Sequence, residues 1–364
     1  MFSNRLASHL ERGVVGFPTT LASSVGLIMA SPVILTVTSG FGMGGDTFAL
    51  AVLLAFIMMQ AQVTTFAEAA TLIPTTGSVY DYISCGMGRF FAITGALCAY
   101  LIVHIFAGTA ETILAGIMAL VNFESINAQM AAHQNTWMVG VGMVVIFGLL
   151  NAIGVEIFGK VEVMLTFGMW TTLTIFGLCG IFMAPVTHLS GWFGTPLNVS
   201  DINGLFGYIG MAMFMFVGCE LVTPMAPEIK QAHRTIPRAM ALGLLGVAYL
   251  LVTLSVVMLR IRRPDLPRAY RSPWFPLPQI ISSVGIIIAI VNITPPGMDS
   301  RQVLVPFGIM LGLTAAYALF WTVCVQRVNP FKPLVVEEVV ERAINNYEKQ
   351  TRGEMTPDVL RPLV

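Results

Sequence analysis

The chain has 364 residues, 56% of them apolar and 10% charged, with 19 basic side chains against 19 acidic ones. Soluble domains carry roughly 25% charged residues, so this composition, with a mean hydropathy of +0.80, excludes a soluble globular protein and predicts a polytopic membrane protein embedded in the lipid bilayer. The net charge of zero says nothing about nucleic acid, but no basic patch interleaves with aromatics, and no nucleic-acid partner is expected.

In chain order, the opening stretch "MFSNRLASHLERGVVGF" has too long a polar part for a signal peptide and lacks a small-residue cleavage site after its apolar run. Residues 1–19 therefore read as a cytoplasmic N-terminal tail. A span needs about 20 mostly apolar residues, and nine stretches qualify: 20–40, 47–72, 88–120, 137–154, 161–184, 203–223, 238–259, 277–294 and 302–325. Residues 20–325 form the transmembrane part, and 326–364 a polar cytoplasmic C-terminal tail. In that tail Val336, Val339, Val340, Ala343, Ile344 and Tyr347 recur at helical spacing, which predicts one amphipathic helix. The five cysteines are scattered, with no Cys-x-x-Cys and no Cys/His pair at metal spacing. Neither a metal site nor a cofactor is expected. No nucleophile elbow, phosphate loop or His-Glu-x-x-His stretch occurs, so the chain does not read as an enzyme.

Basic residues orient the spans. Arg5 and Arg12, then Arg89, Lys160, and Lys230 with Arg234 and Arg238, fall in alternate loops, whereas 41–46, 121–136 and 185–202 hold no Lys or Arg. This places the N-terminus in the cytoplasm and the protein in the cell (inner) membrane. The alternation fails at the seventh stretch, which is followed by "RIRRPDLPRAYR" with its five arginines, so both its ends carry a cytoplasmic signal. Gly308 and Gly312 form one G-x-x-x-G, a weak packing signal.

The first span contains "GLIMASPVIL", with Ser31-Pro32 at its centre. Proline removes a donor and clashes with the preceding turn, and in hydrocarbon the freed carbonyl needs another partner. Read alone, the stretch is either a kink satisfied by neighbouring helices or a site where the helix opens to hold a ligand.

Four stretches resemble the amino acid–polyamine–organocation (APC) transporters. They are "VGLIMASPVIL", "FAEAATLIPTTGSVYDYISCGMGRFFAITG", "FMFVGCELVTPMAPEIKQAHRTIPRAM" and "LRIRRPDLPRAYRSPWFPLP". The second and third are the more specific. The resemblance implies an all-α, LeuT-like inverted-repeat bundle whose first and sixth helices break near the midplane. It also implies that about nine spans remain of twelve, with the eighth, the ninth and half of each neighbour absent, so that the second repeat is incomplete. Met29, Ala30, Ser31 and Pro32 match the first break, and Phe214, Phe216, Val217, Gly218, Cys219 and Glu220 the second. At such breaks free backbone groups and half-helix dipoles hold an amino acid's carboxylate and amine. Ala30 and Pro32 replace glycines of the family pattern. Phe214 is the candidate aromatic closing over the substrate.

Glu220 reads either as an acid that stabilises the broken helix or as a direct substrate contact. His104 and Glu111, seven residues apart on one helix face, read as a pocket wall and candidate proton relay, or as interhelix hydrogen-bonding groups. Gln60 and Gln62 read as interhelix contacts, and Glu68 and Glu228 as partners of inner-gate basic residues. The expected function is secondary transport of an amino acid or amine, proton-coupled or by exchange. The alternative is a shortened relative that does not transport. A homo-oligomer stays open.

Overall fold

The computed structural model describes residues 13, 15–26, 31–102, 105, 108–122, 137–153, 155–183, 202–216, 218–232, 247–292 and 299–351. Among these, every regular element is a helix. The first, α1 (Phe17–Val25), carries Pro18 in its opening turn, where the missing amide breaks no intrahelical bond. Next, α2 (Ser31–Leu72) consists of two arms that meet at Gly45, whose φ of 48° and ψ of −126° suit a residue without a Cβ. Short α3 (Val79–Met87) and α4 (Arg89–Ala96) follow, and α4 runs into a π-helical turn, Leu97–Ile102. Then come α5 (Thr109–Asn122), α6 (Trp137–Ile153), α7 (Val155–Met183), α8 (Ile202–Phe214), a 3-10 segment (Cys219–Glu228) and α9 (Val247–Arg262). The last are α10 (Leu277–Val291), α11 (Ser300–Phe320) with a π-helical turn at Trp321–Val325, and α12 (Val336–Thr351).

Three stretches among the described residues are long and apolar enough to cross a membrane: Thr47–Leu72, Gly159–Cys179 and Leu304–Val325. Within the expected third span, 88–120, lie α4, its π-helical turn and α5, with residues 103, 104, 106 and 107 outside the described residues. The second arm of α2 is the hub and packs against α8, α9 and α10. Its buried residues Phe48, Ala51, Ala55, Met59, Gln62 and Phe66 recur every three or four positions, on one helix face. In lipid, apolar surface gives helices little reason to associate, so packing and interhelical hydrogen bonds carry the bundle. Gln62 Oε1 accepts from Thr253 Oγ1 of α9 at 2.8 Å and from Ser282 Oγ of α10. Gln279 Nε2 donates to Thr65 Oγ1 and Ser272 Oγ at 3.2 and 3.0 Å. Helices α6 and α7 turn apolar residues outward along their length, among them Val144, Ile146 and Phe176.

The tail helix forms at 336–351. Val336, Val340 and Ile344, four residues apart, are buried, and Leu334 N donates to Ser84 O of α3 at 3.0 Å. Phe331 meets the rings of Phe90 and Phe91 at 5.4 and 5.8 Å. Glu337 pairs with Arg263, and that bond holds its carboxyl below the usual range.

Of the expected seventh span, 238–259, residues 238–246 lie outside the described residues, and α9 is described over Val247–Arg262. Lys230 and the arginines at and after the close of α9 lie at one end of the bundle. Val15, just before α1, accepts from Lys230 N and donates to Glu228 O, each at 2.8 Å. The arms of α2 run away from α1 and back, which returns Glu68 to that end, where Arg260 at the close of α9 meets it. Single cysteines at Lys230 and at exposed Ala269, in a background without native cysteines, are therefore expected to label from the same face of sealed vesicles. Labelling from opposite faces would contradict this placement.

Candidate functional site

Two stretches carry the expected helix breaks, and the second lies beside the hub. At the first, α1 ends at Val25, and Gly26 N donates to Ala22 O at 2.7 Å. Helix α2 is described from Ser31 onward, with Pro32 as its second described residue. Met29 and Ala30 lie outside the described residues, as do the side chains of Ser31 and Pro32.

At the second, α8 ends at Phe214. Met215 N and Phe216 N reach back only three residues, to Ala212 O and Met213 O at 3.0 and 3.2 Å. The chain then turns at Gly218, with φ of 139° and ψ of −18°, a conformation far from any that side-chain-bearing residues favour. Cys219 and Glu220 open the 3-10 segment, which contains Pro224 and Pro227 and packs against α1. Proline cannot donate to an α-helical ladder, so the sequence itself keeps this arm from becoming a regular α-helix. Phe216 is half-buried and its ring lies 5.8 Å from Phe56 of the hub. Val217, and the side chains of Phe214, Cys219 and Glu220, lie outside the described residues.

His104 also lies outside them. Glu111 is in the first turn of α5, half-buried. Gln62 bridges three helices, as interhelix contacts require. Glu68 accepts from Arg260 Nε and Nη2 at 2.7 and 2.5 Å and from Ser272 N at 2.9 Å. Arg268 Nε lies 3.2 Å from its other face as an ion-pair contact without hydrogen-bond alignment. For Glu228 no ion pair forms among the described residues, and its buried Oε2 has no hydrogen-bond partner there.

Two features escaped sequence reasoning. Ser23 Oγ of α1 donates to Glu162 Oε2 of α7 at 2.7 Å, which sets an acid beside the first interruption. Beneath the second, Ser78 and Thr223 share a hydrogen bond between their hydroxyls, and Tyr100 Oη donates to Ser78 Oγ at 3.3 Å. All but Tyr100 in this trio are buried, so the hydroxyls close the bundle between α3 and the 3-10 arm. The clue in the sequence is only a serine and a threonine 145 positions apart. No group of His, Cys, Asp and Glu suited to a metal ion occurs among the described residues.

The helical bundle and its apolar surface define an all-α membrane protein. The amino acid permease family model matches residues 20–316. The chain belongs to that family, whose members are integral membrane permeases rather than enzymes. It is 28% identical to the serine/threonine exchanger SteT of Bacillus subtilis, over 68% of this chain and 55% of that one. It is 26% identical to the mitochondrial cationic amino acid transporter 3 of Arabidopsis thaliana, over 74% of this chain and 45% of that one. With the lysine-specific permease LysP of Lactococcus lactis it shares 26% identity over 52% and 39% of the two chains. The chain thus spans about half the length of the curated relatives it matches.

Proposed function

We propose that the chain is a secondary transporter of amino acids or related amines, coupled to protons or working by exchange, with its N-terminus in the cytoplasm. The observation that carries this reading is the break at Gly218, which frees backbone groups at the hub of a permease-family bundle. On this reading Met29, Ala30, Ser31 and Pro32 form one wall of the site, and the N-terminal end of α2 favours the substrate's carboxylate. Pro32 contributes no amide there. Val217, Gly218, Cys219 and Glu220 form the other wall, Phe214 and Phe216 cover the ligand, and His104 lines it. Glu111 and Glu162 are the acids through which a proton would couple. The names of the relatives, an exchanger among them, support amino acids as the substrate class.

A second reading has its own support. Coverage of about half the relatives' length fits a shortened chain that binds without transporting. Proteoliposome uptake separates the two. Under an imposed pH gradient, or with unlabelled amino acids inside, a labelled amino acid mixture is expected to accumulate above protein-free vesicles. Accumulation in neither format, by protein that still binds substrate, would favour the second reading.

A further inference from the structure

The arginine-rich run after α9 divides into two sets. Arg260, Arg263 and Arg268 are engaged by partners. Arg260 pairs with Glu68 and stacks over the Phe275 ring at 4.4 Å, Arg263 pairs with Asp265 and Glu337, and Arg268 donates to the carbonyls of Leu259, Arg263 and Leu266. Arg262 and Arg271 are exposed and form no hydrogen bond or ion pair among the described residues. Exposed apolar residues lie beside them. On α10 the exposed apolar residues Leu277, Ile280, Val284, Ile287 and Val291 alternate by three and four, a stripe on one face that suits acyl chains. Three residues before Leu277 stands Trp274, 81% exposed at a φ of 51°, and three before that stands Arg271. On α9 exposed Leu254 and Ile261 lie one above the other, and Arg262 follows directly. Ser272 O and the Phe275 ring both contact Arg260, so the two stripes end side by side.

Each stripe therefore passes from hydrocarbon-facing aliphatics to an unpaired cation, and one has an indole between them. Indoles favour the headgroup level, and a cation just beyond it meets lipid phosphates. A solvated basic loop would not present an isoleucine and a tryptophan bare beside its charges. We infer that Arg262 and Arg271, with Trp274 as the depth anchor, form a binding site for anionic phospholipid headgroups in the leaflet on the N-terminal side. The site rests on the membrane placement shared by the permease family, and it does not depend on whether the chain transports.

The test uses the full chain in nanodiscs of phosphatidylcholine alone or mixed with phosphatidylglycerol. Phosphatidylglycerol is expected to raise Tm and to remain bound on mild delipidation, measured by native mass spectrometry. The Arg262→Gln/Arg271→Gln double variant loses no hydrogen bond or ion pair among the described residues, so it should fold and retain that lipid about thirtyfold more weakly, from about 1 kcal/mol per basic residue at an anionic surface. Arg301→Gln, on the far side of α11, should change nothing. Fluorescence from Trp274, isolated by difference against Trp274→Phe, should be quenched best by lipids brominated near the headgroup. A double variant with unchanged retention and Tm shift would overturn the proposal, as would a Trp274 quenched at no depth. A shift reproduced by soluble glycerol phosphate over phosphatidylcholine would assign the arginines to a free anion and overturn the membrane site.

Discussion

Gly218→Leu is expected to leave the helical bundle inserted and to lower amino acid uptake in proteoliposomes by about tenfold or more, the equivalent of at least about 1.4 kcal/mol of lost substrate interaction. Two effects act together. A residue with a Cβ held at φ of 139° carries backbone strain of about 1–3 kcal/mol, which the chain relieves by shifting the turn between α8 and the 3-10 arm. The leucine side chain must also occupy space at a position that is buried. Gly218→Ala should show the strain with less of the filling, and so a smaller loss. Gly168→Leu is the control, because nothing lies within 4 Å of a Cβ there. Equal uptake by Gly218→Leu and Gly168→Leu would remove the second interruption from the site.

Glu68→Gln is expected to destabilise the protein by about 3–5 kcal/mol, the cost of breaking a buried ion pair from one side. Glu68 is fully buried and Arg268 nearly so, while Arg260 keeps 16% exposure. Glutamine retains one acceptor oxygen for Ser272 N but leaves two guanidiniums beside an uncharged neighbour. Arg260→Met should cost less alone, since Arg268 still faces Glu68. The double variant should lose less than the sum of the singles, because the residues share one network. Denaturant titration in detergent, followed by helicity, gives all three values. A Glu68→Gln loss below about 1 kcal/mol, the range of solvent-exposed pairs, would show that the cluster is hydrated.

The most legible parts of this fold were those with local signals. Apolar runs located Thr47–Leu72 to the residue, and helical spacing in a polar tail located α12. Gln62, polar and mid-span, had to find partners in hydrocarbon, and it found two. Glu68 was legible as a partner of loop arginines because a carboxylate near a span end seeks the nearest cations. The less legible parts depend on distant pairings. Nothing near Ser78 announces Thr223, and nothing near Ser23 announces Glu162. The same holds for Glu228, which resembled Glu68 in sequence yet makes no ion pair among the described residues. At α9 charge alternation fails, but charge alone cannot say how the chain accommodates two basic ends. Of the candidate site residues, Gly218 stands at a positive-φ turn, whereas Met29, Ala30, His104 and Val217 lie outside the described residues.

The most direct test of the central claim is equilibrium binding of labelled amino acids to the purified full chain in detergent, measured by scintillation proximity across the standard amino acids and common amines. Binding requires the two interruptions to hold one ligand and does not require alternating access, so it reads the site independently of transport. The account predicts saturable binding of at least one such compound, displaced by its unlabelled form and lost in Gly218→Leu but not in Gly168→Leu. A folded wild-type protein that binds none of them, or binding that Gly218→Leu leaves intact, would contradict it.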